Sequence, residues 1–129
     1  MSAESVLAGA VLAAVGAALG DQVNGVFDGP AVKASAPWIE LGPLVAADWS
    51  TKDKAGREVR LVLTIRDRAD RPARTHALAA AVGGAVEDIA RDLAGWRIAS
   101  IVFVRARVTG DRPGEWAATV EYQVRMMAA

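Results

Sequence analysis

One histidine and no cysteine narrow the chemistry open to this 129-residue chain. As a general base, His76 would need a nucleophile and an orienting carboxylate. Thr75 and Asp70 are near in sequence, but no spacing marks them as partners, so His76 is expected to be structural. Glu87, Asp88 and Asp92 fall on one expected helix with Arg91 between them, and Asp92 shares a face with Asp88 four residues earlier. That is the pattern of a solvated helix face. Without cysteine, a metal site would have to be built from carboxylates, and no spacing indicates one. Gly83-Gly84 lies inside an expected helix with no Lys-Ser or Lys-Thr after it, so it is not a phosphate loop. Gly25 and Gly29 flank an aspartate turn rather than a dinucleotide fingerprint. A carboxylate pair for glycoside chemistry has no sequence signature, because any two acids can meet in a fold. No catalytic residue, cofactor or metal is expected.

The remaining candidates are surfaces. Lys plus Arg and Asp plus Glu number 15 each, and a generic nucleic-acid binder carries a basic excess. The distribution is uneven. Residues 1–51 hold one Lys against five acids, residues 52–74 hold eight basic groups against four acids, and the remainder is balanced. This is either an ordinary mixed-charge surface or a subunit with an acidic and a basic side, suited to head-to-tail contact with its own copies. The basic stretch Lys52 to Arg74 has one nearby aromatic, Trp49, and lacks the interleaved aromatics of single-strand binders. Contacts to a passing phosphate backbone or to acidic partner residues suit these arginines better than base readout. The candidate interface residues are Trp49, Lys52, Lys54 and Arg57 in a long polar connection, Arg105 and Arg107 on a strand, and Asp111 and Arg112 at a turn.

These residues must be held by a small set of elements. Val59, Leu61, Leu63 and Ile65 alternate with Arg60, Val62, Thr64 and Arg66, the period of a strand buried on one face. Pro72 suits a first helical turn. Leu78, Val82, Ala85, Ile89 and Leu93 then follow at steps of four, three, four and four, predicting a helix from Pro72 to Leu93 about 33 Å long. Gly83-Gly84 inside it costs roughly 1 kcal/mol per glycine against alanine, a cost that close packing or a kink would explain. From Arg97 to Val108 the period returns to two, with Ile98, Val102, Val104, Ala106 and Val108 on one face and Ile101, Phe103, Arg105 and Arg107 on the other.

Ahead of this unit, Ser2 is a plausible N-cap with Glu4 in the first turn. Val6-Leu7, Ala10-Val11, Ala14-Val15 and Ala18-Leu19 form a narrow apolar stripe that ends at Gly20. This apolar run is too short to cross a bilayer, which takes about 20 residues. It also lacks the basic start of a secretory leader, so a soluble protein made inside the cell is expected. Val26-Phe27-Asp28 and Pro37 to Gly42 predict short strands, with Trp38 in the core, and Pro43 to Gly56 a long loop, a kind of segment that is often functional or mobile. After a turn over Thr109 to Gly114, Trp116, Ala118, Val120, Tyr122, Val124 and Met126 alternate with outward residues in a last strand. The fold class is therefore α+β, two helices packed on one face of a mostly antiparallel sheet of about five strands, in the order α-β-β-β-α-β-β. An open sheet leaves edge strands with unpaired N–H and C=O groups, and a ring of copies is one way to satisfy them.

Val26-Phe27-Asp28-Gly29, Pro37 to Gly42, Asp48-Trp49-Ser50-Thr51-Lys52 and the Leu61 to Ile65 strand, taken in this order, resemble the tail completion (tail terminator) family of long-tailed phages, prophages and gene transfer agents. Ala79-Ala80-Ala81-Val82 and Trp96-Arg97-Ile98 also fit. Order and spacing carry the resemblance, which spans nearly the whole chain as one domain, residues 1–129. One departure is Arg66-Asp67, where the family often has an aromatic. The resemblance implies a structural virion protein rather than an enzyme. Such a protein forms a ring, typically a hexamer, at the head-proximal end of the tail tube, stops tube growth and joins tail to head. The partners it implies are copies of the chain itself, the tail-tube protein and a head-completion or connector protein, with DNA passing through the ring without sequence-specific binding and no membrane involved. The location it implies is the head–tail junction of a phage-like particle made in the bacterial cytoplasm. Two other readings stand beside it. One is another head–tail connector or tail-tube protein. The other is a small enzyme or ligand-binding domain, which predicts a deep pocket with converging polar groups.

Overall fold

The computed structural model describes every residue from Met1 to Ala129. The elements are α1 (Ala3–Leu19), β1 (Val26–Asp28), β2 (Trp38–Leu41), β3 (Val45–Asp48), β4 (Gly56–Arg68), α2 (Ala73–Glu87), β5 (Asp92–Leu93), β6 (Trp96–Arg112) and β7 (Glu115–Ala128). The strands form one seven-stranded sheet in the order β1-β2-β4-β7-β6-β5, with β3 paired to β4 beside β2. The α+β class holds, but the expected sheet of about five strands is corrected to seven. The sheet is also mixed, because β1 pairs with β2 in parallel.

The two extra strands, β3 and β5, have clear physical origins. The expected loop from Pro43 to Gly56 contains β3, which folds back on β4 with Val45 opposite Arg60 and Asp48 opposite Arg57. All four β3 residues are exposed, so no inward-outward alternation betrays the strand. The expected helix to Leu93 stops at Glu87 after 15 residues, about 22 Å. Ile89 keeps the helical spacing and is buried, but it reaches the core from the turn beyond the helix. Leu93 lies in β5, opposite Trp96.

Both helices pack on one side of the sheet. Leu7, Val11, Val15 and Leu19 of α1 join Leu78, Val82 and Val86 of α2 in one core cluster. The sheet contributes Ile39 and Leu41, alternate residues of β4 from Val59 to Ile65, and Ala118 to Met126 of β7. Each fully buried Leu, Ile or Val contributes about 1.5–3 kcal/mol, so this cluster outweighs any single cap. Ser2 caps α1 as expected, its Oγ accepting from Ser5 N at 3.1 Å. No side chain caps α2 in that way.

Two assignments of faces are corrected. Trp38 is half-buried on the side away from the helices, out of phase with Ile39 and Leu41. In β6, register shifts fall between Ile98 and Ser100, Phe103 and Arg105, and Thr109 and Arg112. Each extra residue reverses the alternation. Ile98, Ile101, Phe103, Ala106 and Val108 therefore stand opposite Met126, Val124, Tyr122, Val120 and Ala118, all core residues of β7. Val102 and Arg105 instead share the far face with Gln123 and Glu121.

Candidate assembly surfaces

No reactive centre assembles around His76. It lines the mouth of a groove of about 430 Å³ between α2 and β6. The acid in that groove, Glu87, accepts a hydrogen bond from the Tyr122 hydroxyl. Burial first, and then the Glu87 hydrogen bond and charge, push the Tyr122 phenol far above its ordinary value. The pair is a neutral phenol clamped on Glu87, and His76 makes no hydrogen bond to either of them. No three His, Cys, Asp or Glu side chains stand together in a way that could hold a metal ion.

The sequence candidates are spread over the molecule. Antiparallel pairing sets Gly56 opposite Met127 and Arg68 opposite Glu115. The β3–β4 turn, with Trp49, Lys52 and Lys54, is thus at one end of the sheet. The β6–β7 turn, with Asp111 and Arg112, is at the other. Thirteen strand residues separate the ends, about 40 Å. Arg105 and Arg107 lie between them on β6.

The β3–β4 turn is tightly wired. Trp49 N donates to Gly56 O at 3.0 Å and Thr51 N to Lys54 O at 2.9 Å. Asp48 Oδ1 accepts from Ser50 N at 3.2 Å and Ser50 Oγ at 2.6 Å. These two bonds, with the nearby Arg57 guanidinium, hold the Asp48 carboxyl below its ordinary value. A side chain at Gly56 would place its Cβ 2.3 Å from Trp49 O, so the turn needs glycine there. Trp49 is half-buried rather than free, and the Arg125 guanidinium lies 5.4 Å from its ring centroid. Lys52 and Lys54 are exposed on this turn.

The sheet face away from the helices is a lattice of ion pairs. Glu121 binds Arg60 at 2.8 Å and Arg105 at 3.2 Å. Glu40 binds Arg66 at 2.8 Å, and Glu58 binds Arg125 at 3.0 Å. Burial alone would raise the Glu40 carboxyl, but the Ala31 N–H and Arg66 hold it below its ordinary value. Arg105 is therefore already engaged within the chain, whereas Arg107 makes no ion pair.

Sequence reasoning missed the apolar groups that the surface displays. Val32, Val45, Val102 and Phe103 are all at least half exposed. Phe103 and Val102 were hidden by the bulges of β6, and Val45 by the missed strand. Nothing in the local pattern around Val32 signals its exposure. The two rims of the sheet are also open. β5 covers Trp96 and Arg97 of β6, and Ile98 N donates to Arg91 O at 2.7 Å, which leaves the rim from Ala99 to Arg112 without a partner strand. On the opposite side, β1 and β3 each pair on one side only.

No curated protein matches the chain. Among solved structures, a chain from "Virion of native gene transfer agent (GTA) particle" matches with a TM-score of 0.80 at 24% identity, covering 98% of each chain. That likeness establishes the shared fold. The family described as "Tail completion protein gp17" matches residues 7–127, and its members are structural tail proteins of a virion, not enzymes. By that match over almost its full length, the chain belongs to the tail completion protein gp17 family.

Proposed function

We propose that this structural tail protein works as a single domain that assembles into a ring, a hexamer, at the head-proximal end of a phage-like tail tube. The ring ends tube polymerisation and joins the tail to the head, with the tail-tube protein on one side and a head-completion or connector protein on the other. DNA passes through it without sequence-specific contacts. The observation that carries this reading is the pair of unlike open rims, β6 on one side of the sheet and β1 with β3 on the other. Unlike rims mate head to tail, and such contacts close into rings when the rotation per copy permits. Family membership supports the place in the tail, and the fold shared with a chain of a gene transfer agent particle supports the location in a virion.

The two ends of the sheet suit two different neighbours. Trp49, Lys52, Lys54 and Arg57 present one contact surface, and Asp111 and Arg112 present the other about 40 Å away. Arg105 and Arg107 lie along the rim where the next copy would sit. The test is sedimentation of the purified chain with and without tail tubes, followed by electron microscopy of the tubes. A closed ring of fixed size on one tube end is the expected result. Filaments that lengthen without limit would identify a tube subunit instead and sink the proposal.

A further inference from the structure

The groove between α2 and β6 has an apolar floor. Phe103 packs edge-on against Tyr122, with ring centroids 5.7 Å apart, yet Phe103 remains 53% exposed. Ala79 and Ala80 form the helix wall, and Ala106 and Val108 the strand wall. The groove runs beside the open rim of β6. Exposed apolar clusters bounded by polar residues mark contact sites, and burial of the remaining Phe103 surface is favourable.

The opposite rim displays a matching knob. Val32 is completely exposed on the segment between β1 and β2, and that segment is pinned. Ala31 N donates to Glu40 Oε2 at 2.9 Å, Asn24 Nδ2 to Ala36 O at 2.9 Å, and Gly29 N to Leu41 O at 2.9 Å. An apolar side chain held outward in this way makes no contribution to its own core. Its flanks and the walls of the groove also complement each other in charge. Asp28 and Lys33, both exposed, accompany Val32. Arg107 and Glu87 border the groove.

We propose that Val32 of one copy seats against Phe103 in the α2–β6 groove of the next, with Lys33 meeting Glu87 and Asp28 meeting Arg107. The contact joins different rims of identical chains, so it propagates in one direction around a ring. It rests on the ring reading above and adds to it the residues that join neighbours.

The chain has no native cysteine, so engineered pairs report without background. Val32→Cys and Ala106→Cys single variants are mixed and oxidised, both as purified chains and during tail assembly. A mixed disulfide dimer is expected well above the yield of an Ala94→Cys and Ala106→Cys control, because the contact brings position 32 against the groove wall and leaves position 94 outside it. Val32→Asp, at a fully exposed position, is expected to keep its circular dichroism and weaken self-association about tenfold. Yields equal to the control in both settings overturn the contact. The Val32→Cys/Ala106→Cys double variant separates the two proposals. A closed cross-linked species of fixed size supports both, and an endless ladder keeps the contact but removes the ring. A closed ring without this cross-link keeps the ring and removes the contact.

Discussion

Arg74 grips Asp67 with two hydrogen bonds, Nε to Oδ2 at 2.8 Å and Nη2 to Oδ1 at 2.6 Å. The grip ties the first turn of α2 to the end of β4. The Asp67 side chain is fully buried while that of Arg74 is about half exposed, so the two partners are unequal. Removing Arg74 strands a buried carboxylate, whereas neutralising Asp67 leaves a guanidinium that water can reach. Arg74→Met should therefore destabilise more than Asp67→Asn, by about 1–2 kcal/mol at neutral pH. Urea unfolding of both variants measures this, and equal losses would contradict the unequal roles.

The same pair sets an acid response. Burial alone would raise the Asp67 carboxyl, but the Arg74 hydrogen bonds, the Arg68 N–H and the Arg74 charge outweigh it and hold the group below its ordinary value. The stabilisation is then complete above the unfolded value, near pH 4. It is lost as pH falls through the lower folded value. The urea midpoint of the wild-type chain should fall below pH 4, and that of Asp67→Asn should fall less. Parallel acid profiles would exclude Asp67 as a contributor.

Two adjacent glycines in α2 should behave differently. A Cβ at Gly83 would lie 3.0 Å from the Tyr122 hydroxyl, while one at Gly84 meets nothing within 4 Å. Gly84→Ala gains the helix preference of alanine, about 0.5–1 kcal/mol. Gly83→Ala must also push the Tyr122 hydroxyl by a few tenths of an ångström against its bonds to Glu87 and Gly83 O, and should be less stable than Gly84→Ala by about 1 kcal/mol. Thermal unfolding of the two variants gives the comparison, and equal midpoints would show that the phenol yields freely.

Trp49 is proposed as an anchor for a subunit or tail contact, as large interfacial aromatics often are. It is half-buried beneath Arg125, so Trp49→Ala loses a cation–π contact worth about 0.5–1 kcal/mol and some packing. The folded chain should survive while ring formation and tail capping decline. If both persist in a folded Trp49→Ala chain, Trp49 has only a local role.

The parts of the fold that were legible from sequence were those in which burial alone sets the pattern. Ser2 and the apolar stripe gave α1, and the strict alternation of β4 and β7 gave their inward faces. The alternation of β6 misled because each bulge inverts the count, which moved Phe103 inward and Val102 outward. Ile89 extended α2 on paper because a buried residue in a turn can hold the same spacing as one in a helix. Asp67 departs from an expected aromatic because Arg74, seven residues later, supplies the charge that lets a carboxylate occupy an inward position. Among the interface candidates, charge was legible but placement was not. Lys52 and Asp111 fall at opposite ends because strand pairing, rather than sequence distance, decides where a turn emerges.

The three register shifts along β6 have a further effect. They break the exposed row of amides into short aligned runs, so another strand cannot zip along its length. Sticky, amyloid-like stacking is thereby discouraged. A neighbour must fit by shape at a small footprint, so contacts along this rim are selective for a complementary surface rather than for any extended strand.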